Sequence, residues 1–509
     1  MVSSNKKIVY NTIILYVKLI LSVLIGLYTS RLILQALGNS DFGLYSVVGG
    51  IVTLLNIVGI TMVSTSYRYI SVEIGKGEKG EPNRVYNTIL VIHLFLALLL
   101  VILGLVVGIW YIDNYLNVDP NKINDAKYVM IISMITTAGT VISVPSNGLI
   151  IAREKFLFTS LVEISQMTLK LILILFVLCP YGGNRLRLFV ELMLVTNWIP
   201  PVSYTLYCFF KERNISRWHF NPRWKDYYEV IGFTWWLLIS AIACIGLNQG
   251  AAMIINIFFG TVINASFGIS MQVQSYLQMF PKNILQATNP QIMKSYGEGN
   301  YERSLSLVYA TTRFCFLIFL VPAIPCLILM DEILKLWLGT VPPNCAVFAT
   351  YMLWATIIGN LGSGFDGFIQ ATGRVRINQI GYTIINLSLL PIIYILYSYG
   401  FPAYTNAIIT IFLMLFTVVF QSYIMKMNSS FKYTEYFKRT IIPAITVVLS
   451  LIPLFFLKKY YVPVSLSSML CVGAFAVFAT ILSITLFGLK AEERKVLYHY
   501  MAKKISTIF

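Results

Sequence analysis

The stretch LYTSRLILQALGNSDFGLYSVVGG, residues 27–50, closes one long apolar run and opens another. Between them lie Gly38, Asn39, Ser40 and Asp41, residues that resist continuation of a helix. A reversal at 38–41 makes the two runs an antiparallel helical hairpin. The apolar run before it starts near residue 8 and the one after it ends near residue 66. Each is long enough for the roughly 20 residues that cross a bilayer core. Arg31 sits close to the end of the first run, where a permanent charge needs a reason.

The rest of the chain follows the same pattern. Of 509 residues, 57% are hydrophobic and 12% charged, and the mean hydropathy is +0.75. Soluble domains carry about a quarter charged residues, so lipid is the expected solvent. Runs such as Ile89–Trp110 are long and continuous rather than alternating, which excludes barrel strands. About fourteen spans are expected, near 8–37, 42–66, 86–112, 126–151, 156–180, 186–210, 228–258, 262–288, 302–329, 344–372, 377–398, 402–426, 436–457 and 462–488. The fold class is therefore an all-α polytopic membrane protein.

The net charge of +17 does not indicate nucleic acid. Placing the N-terminus in the cytoplasm puts most of the 38 Lys and Arg residues in segments on that side. Both termini are then expected in the cytoplasm, and the first helix is read as a retained signal anchor. Seven scattered cysteines with no C-x-x-C behave as small hydrophobes.

The chain looks doubled. FGLY at 42–45 has a counterpart in FGIS at 267–270, and IGKGE at 74–78 in YGEGN at 296–300. A second reversal is expected at 259–264. The resulting division is a six-helix lobe at 1–210, a cationic linker at 211–227, a second six-helix lobe at 228–427, and helices 13–14 with a tail at 428–509. Six helices per half implies a parallel pseudo-repeat.

Charges inside spans are few and carry the functional expectations. Lys18, Lys170 and Arg313 lie deep, and Arg31 lies nearer an end. Glu163, Gln166 and Lys170 fall at i, i+3 and i+7, on one helical face. Ser363, Asp366 and Gln370 repeat that theme amid Gly359, Gly362, Gly364 and Gly367, a density of glycine that implies close packing or a broken helix. Packed structural pairs are the alternative for each, and snorkelling to the interface is the alternative for Arg31. His93 is expected to be packed. No Walker loop, G-x-S-x-G or H-E-x-x-H occurs, and there is no room for a catalytic domain between spans, so no enzyme activity and no resident metal are expected.

Thr29-Ser30-Arg31, Gly38 and Asp41-Phe42-Gly43-Leu44-Tyr45 resemble the opening of the polysaccharide flippases, the O-antigen and capsule exporters of the multidrug/oligosaccharidyl-lipid/polysaccharide exporter superfamily. The resemblance implies two six-helix lobes in a V around a cavity that faces alternate sides. It implies an undecaprenyl-pyrophosphate-linked oligosaccharide as cargo, moved to the outer leaflet of the cytoplasmic membrane. The resemblance carries a cavity-lining first-helix arginine onto Arg31; Arg313, Lys170 and Lys18 match no family motif and are expected contacts for the anionic pyrophosphate as cations inside spans. Glu163 and Asp366 are the expected carriers of a coupling ion, H⁺ or Na⁺. Polysaccharide polymerase and glycosyltransferases are the expected neighbours. A drug or metabolite antiporter of the same fold is the alternative, although a cation exporter should favour buried acids over buried bases.

Overall fold

A computed structural model describes residues 2–114, 120–178, 183–460 and 465–495, apart from the side chains of a number of residues in the first 61 and a few elsewhere. Among these residues the chain is helical, with no strand. In order the helices are α1 Val2–Gly75, α2 Pro82–Asn114, α3 Ile123–Ile142, α4 Val144–Ala152, α5 Phe156–Leu178, α6 Arg185–Lys211, α7 Arg213–Ser216, α8 Trp224–Gly297 and α9 Tyr301–Ile328. They continue as α10 Met330–Leu338, α11 Cys345–Gly359, α12 Phe365–Thr372, α13 Arg376–Leu387, α14 Leu389–Ser398, α15 Thr405–Asn428, α16 Tyr433–Tyr436, α17 Ile442–Tyr460 and α18 Leu466–Ser483. Ten stretches are long and apolar enough to cross a membrane, and α1, α6 and the second arm of α8 hold the remaining expected spans.

The helical assignment of α1 continues through 38–41, where the sequence predicts a reversal. A straight helix of that length would measure about 110 Å at ~1.5 Å per residue, several times the bilayer core. Its contacts show that it folds back. Lys18 pairs with Glu163 of α5, while Ile70 packs with Leu149, Ile150 and Cys208 in a cluster that Phe158 and Val162 of α5 also join. Lys18 and Ile70 would be nearly 80 Å apart on a rod, yet both reach the first third of α5. The middle of α1 is at the other end. Leu32, Ile33, Ala36, Leu37 and Leu44 pack with Ile112, Val177, Leu186 and Phe189, and Asp41 is salt-bridged to Lys122 at 2.5 Å.

The second reversal is explicit. Gly260 breaks α8 with φ 76° and ψ −177°, a backbone state that glycine alone adopts without a Cβ penalty, inside the predicted 259–264. At their far ends the matching motifs meet. A Cβ on Gly75 would lie 2.3 Å from the Lys294 carbonyl oxygen, and one on Gly297 would lie 2.3 Å from the Val72 oxygen. Only hydrogen fits at either position, so α1 and α8 end in reciprocal backbone contact.

The chain forms two compact units, 1–242 with 293–301, and 243–292 with 302–509. The first is built on the α1 hairpin wrapped by α2–α6. The second is centred on α9, the most buried of the candidate spans, whose Phe319, Leu320 and Ile324 pack with Ala349 and Leu353 of α11, Val447 and Leu451 of α17 and Ala476 of α18. His93 is buried in α2, with Nδ1 2.7 Å from the Ile89 carbonyl oxygen, as a packed histidine should be.

Candidate functional site: a polar face inside the first unit

Helix α5 carries two opposed faces. Leu157, Leu161, Ile172, Leu175 and Phe176 are exposed. At about 100° per residue they form one apolar stripe suited to lipid. Glu163, Gln166 and Lys170 lie roughly 140–200° round from Leu161, on the opposite stripe. Phe156, Thr159, Ile174 and Val177 share that side and are buried. The predicted polar stripe therefore points into the bundle, not at lipid.

Its partners come from α1 and α6. Lys18 Nζ donates to Glu163 Oε2 at 2.8 Å, the Tyr204 hydroxyl donates to Glu163 Oε1 at 3.3 Å, and Gln166 Nε2 donates to Asn197 Oδ1 at 3.1 Å. Asn197 also has a freed backbone. Pro200 and Pro201 lie inside α6 and have no N–H, so the carbonyls of Thr196 and Asn197 lack their helical donors. Lys170, about 10 Å along the stripe from Glu163, has no hydrogen-bond acceptor or carboxylate among the described residues and is only partly buried.

Helix α1 supplies a matching face. Tyr10, Ile13, Val17, Ile20 and Tyr28 are exposed. Asn11, Lys18, Ser22 and Thr29 are spaced by whole turns on the opposite side. Asn11 Nδ2, Ser22 Oγ and Thr29 Oγ1 are buried and have no protein hydrogen-bond partner among the described residues. Buried polar groups in native proteins are satisfied by protein or by water, so three such atoms on one face mark a packed polar seam, and the part-exposed polar groups beside it are Lys18 and Glu163, 15% and 30% exposed.

The other expected site residues lie elsewhere. Arg313, in the second unit, is 1% exposed and its Nη2 donates to Glu493 Oε1 in the segment after α18. The second carboxylate oxygen of Glu493 accepts the backbone N–H of Lys490 at 2.8 Å. Burial, with the repulsion of Arg313 and Arg439, holds the Lys490 ammonium below the usual lysine range. The side chain of Arg31 lies outside the described residues. Asp366 is in the first turn of α12, its Oδ2 accepting from Gln370 Nε2 at 2.5 Å. The glycine-rich span around it is both broken and closely packed. A 3₁₀ turn at Asn360–Gly362 separates α11 from α12, and a Cβ on Gly364 would meet Thr312 Oγ1 at 2.6 Å. A polar ladder leads to the break, with Gln274 on Thr356 at 2.7 Å and Asn360 on Gln278 at 3.4 Å.

The spacing in α5 revealed its stripe, but Tyr204 and Asn197 escaped sequence reasoning because nothing local marks them. The α1 face was legible in principle, from Asn11, Lys18, Ser22 and Thr29 at intervals of seven, four and seven.

No family model matches the sequence. The uncharacterized membrane protein EpsK of Bacillus subtilis (strain 168) is 20% identical over 399 residues, covering 77% of this chain and 72% of its own. Among solved structures, an outward-facing multidrug resistance MATE family transporter of the MOP superfamily aligns with a TM-score of 0.73, 14% identity, and coverage of 83% of this chain and 95% of its own. A MOP superfamily transporter from Pyrococcus furiosus, described as having reversed binding-pocket polarity suggestive of a different function, aligns at 0.70 with 15% identity, covering 83% and 95%. The chain is a multi-pass membrane protein with the fold of the MATE transporters of the MOP superfamily.

Proposed function

We propose that this protein carries an anionic, lipid-linked oligosaccharide, of the undecaprenyl-pyrophosphate type, across the cytoplasmic membrane by alternating access, with both chain ends in the cytoplasm. The observation that carries the proposal is Lys170. It sits on the inward face of a membrane helix, opposite the lipid-exposed stripe, with no carboxylate beside it among the described residues. An ammonium in that position is costly unless it is hydrated or meets an anion. A pyrophosphate crossing hydrocarbon needs such cations, and a sugar needs polar groups like those of α1 and α6.

Lys18 and Lys170 are the cargo contacts in this assignment, with Arg31 near the opposite end of the first arm of α1. Arg313 anchors the C-terminal segment through Glu493. Glu163 and Asp366 are the carboxylates available to a coupling H⁺ or Na⁺. Export of cationic drugs fits less well, because the net positive charge left at Lys170 once Lys18 is paired with Glu163 would repel such a cargo. The fold itself accommodates a change of pocket polarity, as the description of the Pyrococcus furiosus relative suggests for that protein.

The test is complementation of a bacterial strain that lacks its own polysaccharide flippase. Expression of this chain restores surface glycan, and Lys170→Met removes it while protein level is kept. Failure of the unaltered chain with a panel of lipid-linked repeats, combined with efflux of small cations, would replace the proposal by the antiporter reading.

A further inference from the structure

We infer that Glu163 is a displaceable counter-ion: it occupies Lys18 while the site is unloaded and yields that lysine to the phosphate of the cargo. The inference rests on the proposed function and concerns how the same site is regulated.

Four observations lead to it. The Lys18–Glu163 pair joins α1 to α5 across 145 residues of sequence at 2.8 Å, so its formation and loss couple two helices rather than one. Its side chains keep 15% and 30% of their surface exposed, enough for an incoming group to reach both. The cluster holds two ammoniums and one carboxylate, since Lys170 on the same stripe as Glu163 has no anionic partner among the described residues. Glu163 also has a second resting place, because the Tyr204 hydroxyl already reaches its other oxygen at 3.3 Å.

The chemistry follows from charge. In the unloaded site the cluster carries one net positive charge, at Lys170, which attracts an anion of two or more charges. A phosphate drawn to Lys170 competes with Glu163 for Lys18, because phosphate offers more acceptor oxygens at higher charge density. Once Lys18 turns to phosphate, Glu163 keeps only the Tyr204 hydroxyl and becomes free to take up a cation. Loading the site would therefore remove one polar tie between α1 and α5 and create a carboxylate ready for the coupling ion.

The experiment measures binding of farnesyl pyrophosphate to the full-length protein in lipid nanodiscs, with farnesol and free pyrophosphate as parallel arms that separate the prenyl chain from the phosphate. Removing the competitor with Glu163→Gln should tighten farnesyl pyrophosphate binding about twofold to fivefold, the scale of one partly exposed ion pair. Glu163→Asp, which shortens the carboxylate and keeps its charge, should give a smaller gain if Glu163→Gln folds poorly. In a Lys18→Met background the same substitution should give a smaller gain, since there is no ammonium left to release and only the repulsion between Glu163 and the phosphate is relieved. A merely structural pair predicts the opposite pattern, a loss of binding in Glu163→Gln that tracks its loss of thermal stability, and that result overturns the inference while leaving the flippase proposal standing. No binding of either pyrophosphate by the unaltered protein overturns both.

Discussion

Arg313, in the middle of α9, donates through Nη2 to Glu493, 180 residues later and beyond the last long helix. The arginine is the largest fully buried side chain of the second unit's core, and its Nε has no partner among the described residues. The segment after α18 is thus fastened to the most buried helix of its unit through one carboxylate.

Glu493→Gln leaves a buried guanidinium without its counter-charge. Breaking a buried pair on one side costs about 3 kcal/mol or more, reduced here because Glu493 is partly exposed. About 2 kcal/mol is expected, read as a lower melting temperature in detergent. Arg313→Met combined with Glu493→Met should recover much of that loss, because the pair is removed from both sides. A double variant as unstable as the single one contradicts the assignment.

The extent to which the chain was legible as sequence differs between its parts, for physical reasons. The hairpins were legible because reversals need residues such as Asn39, Asp41 and Gly260, which local chemistry marks. The stripe Glu163–Gln166–Lys170 was legible because helical periodicity is local. The partner of Arg313 was not, since a deep charge announces a need without naming what meets it, and Glu493 looks like any solvated tail carboxylate. Tyr204 and Asn197 were hidden for the same reason. Their roles exist only once α6 packs on α5.

Gly75 and Gly297 press on each other's backbones. Gly75→Ala and Gly297→Ala should each destabilise the contact, since a methyl group meets a carbonyl oxygen at 2.3 Å. Their effects should be strongly non-additive because the first already opens the gap that the second needs. Gly232→Ala, where a Cβ meets nothing within 4 Å, should be neutral or slightly stabilising as a better helix former. Melting temperatures of the unaltered protein, the three single variants and the Gly75→Ala/Gly297→Ala double variant check this, and simple additivity of the two alanines argues against a shared contact.

Asp366 is expected to act in transport rather than in folding. Asp366→Asn keeps shape and can still receive the Gln370 amide, so the melting temperature should stay within a few degrees. Glycan export in the complementation strain should fall sharply if the carboxylate must exchange a cation, as expected for an intramembrane ionisable group with a transport role. Export at the unaltered rate would leave Asp366 a packing residue.

The central claim is that the inward faces of α1 and α5 border water, and cysteine labelling tests it most directly. In a background with the seven native cysteines replaced, Lys18→Cys, Gln166→Cys and Lys170→Cys, at part-exposed positions of the inward faces, should react with a charged, membrane-impermeant thiosulfonate, while Tyr10→Cys, Val17→Cys and Ile20→Cys on the lipid stripe should not. Reaction of the second set with protection of the first would place lipid where this account places a hydrated path for an anion.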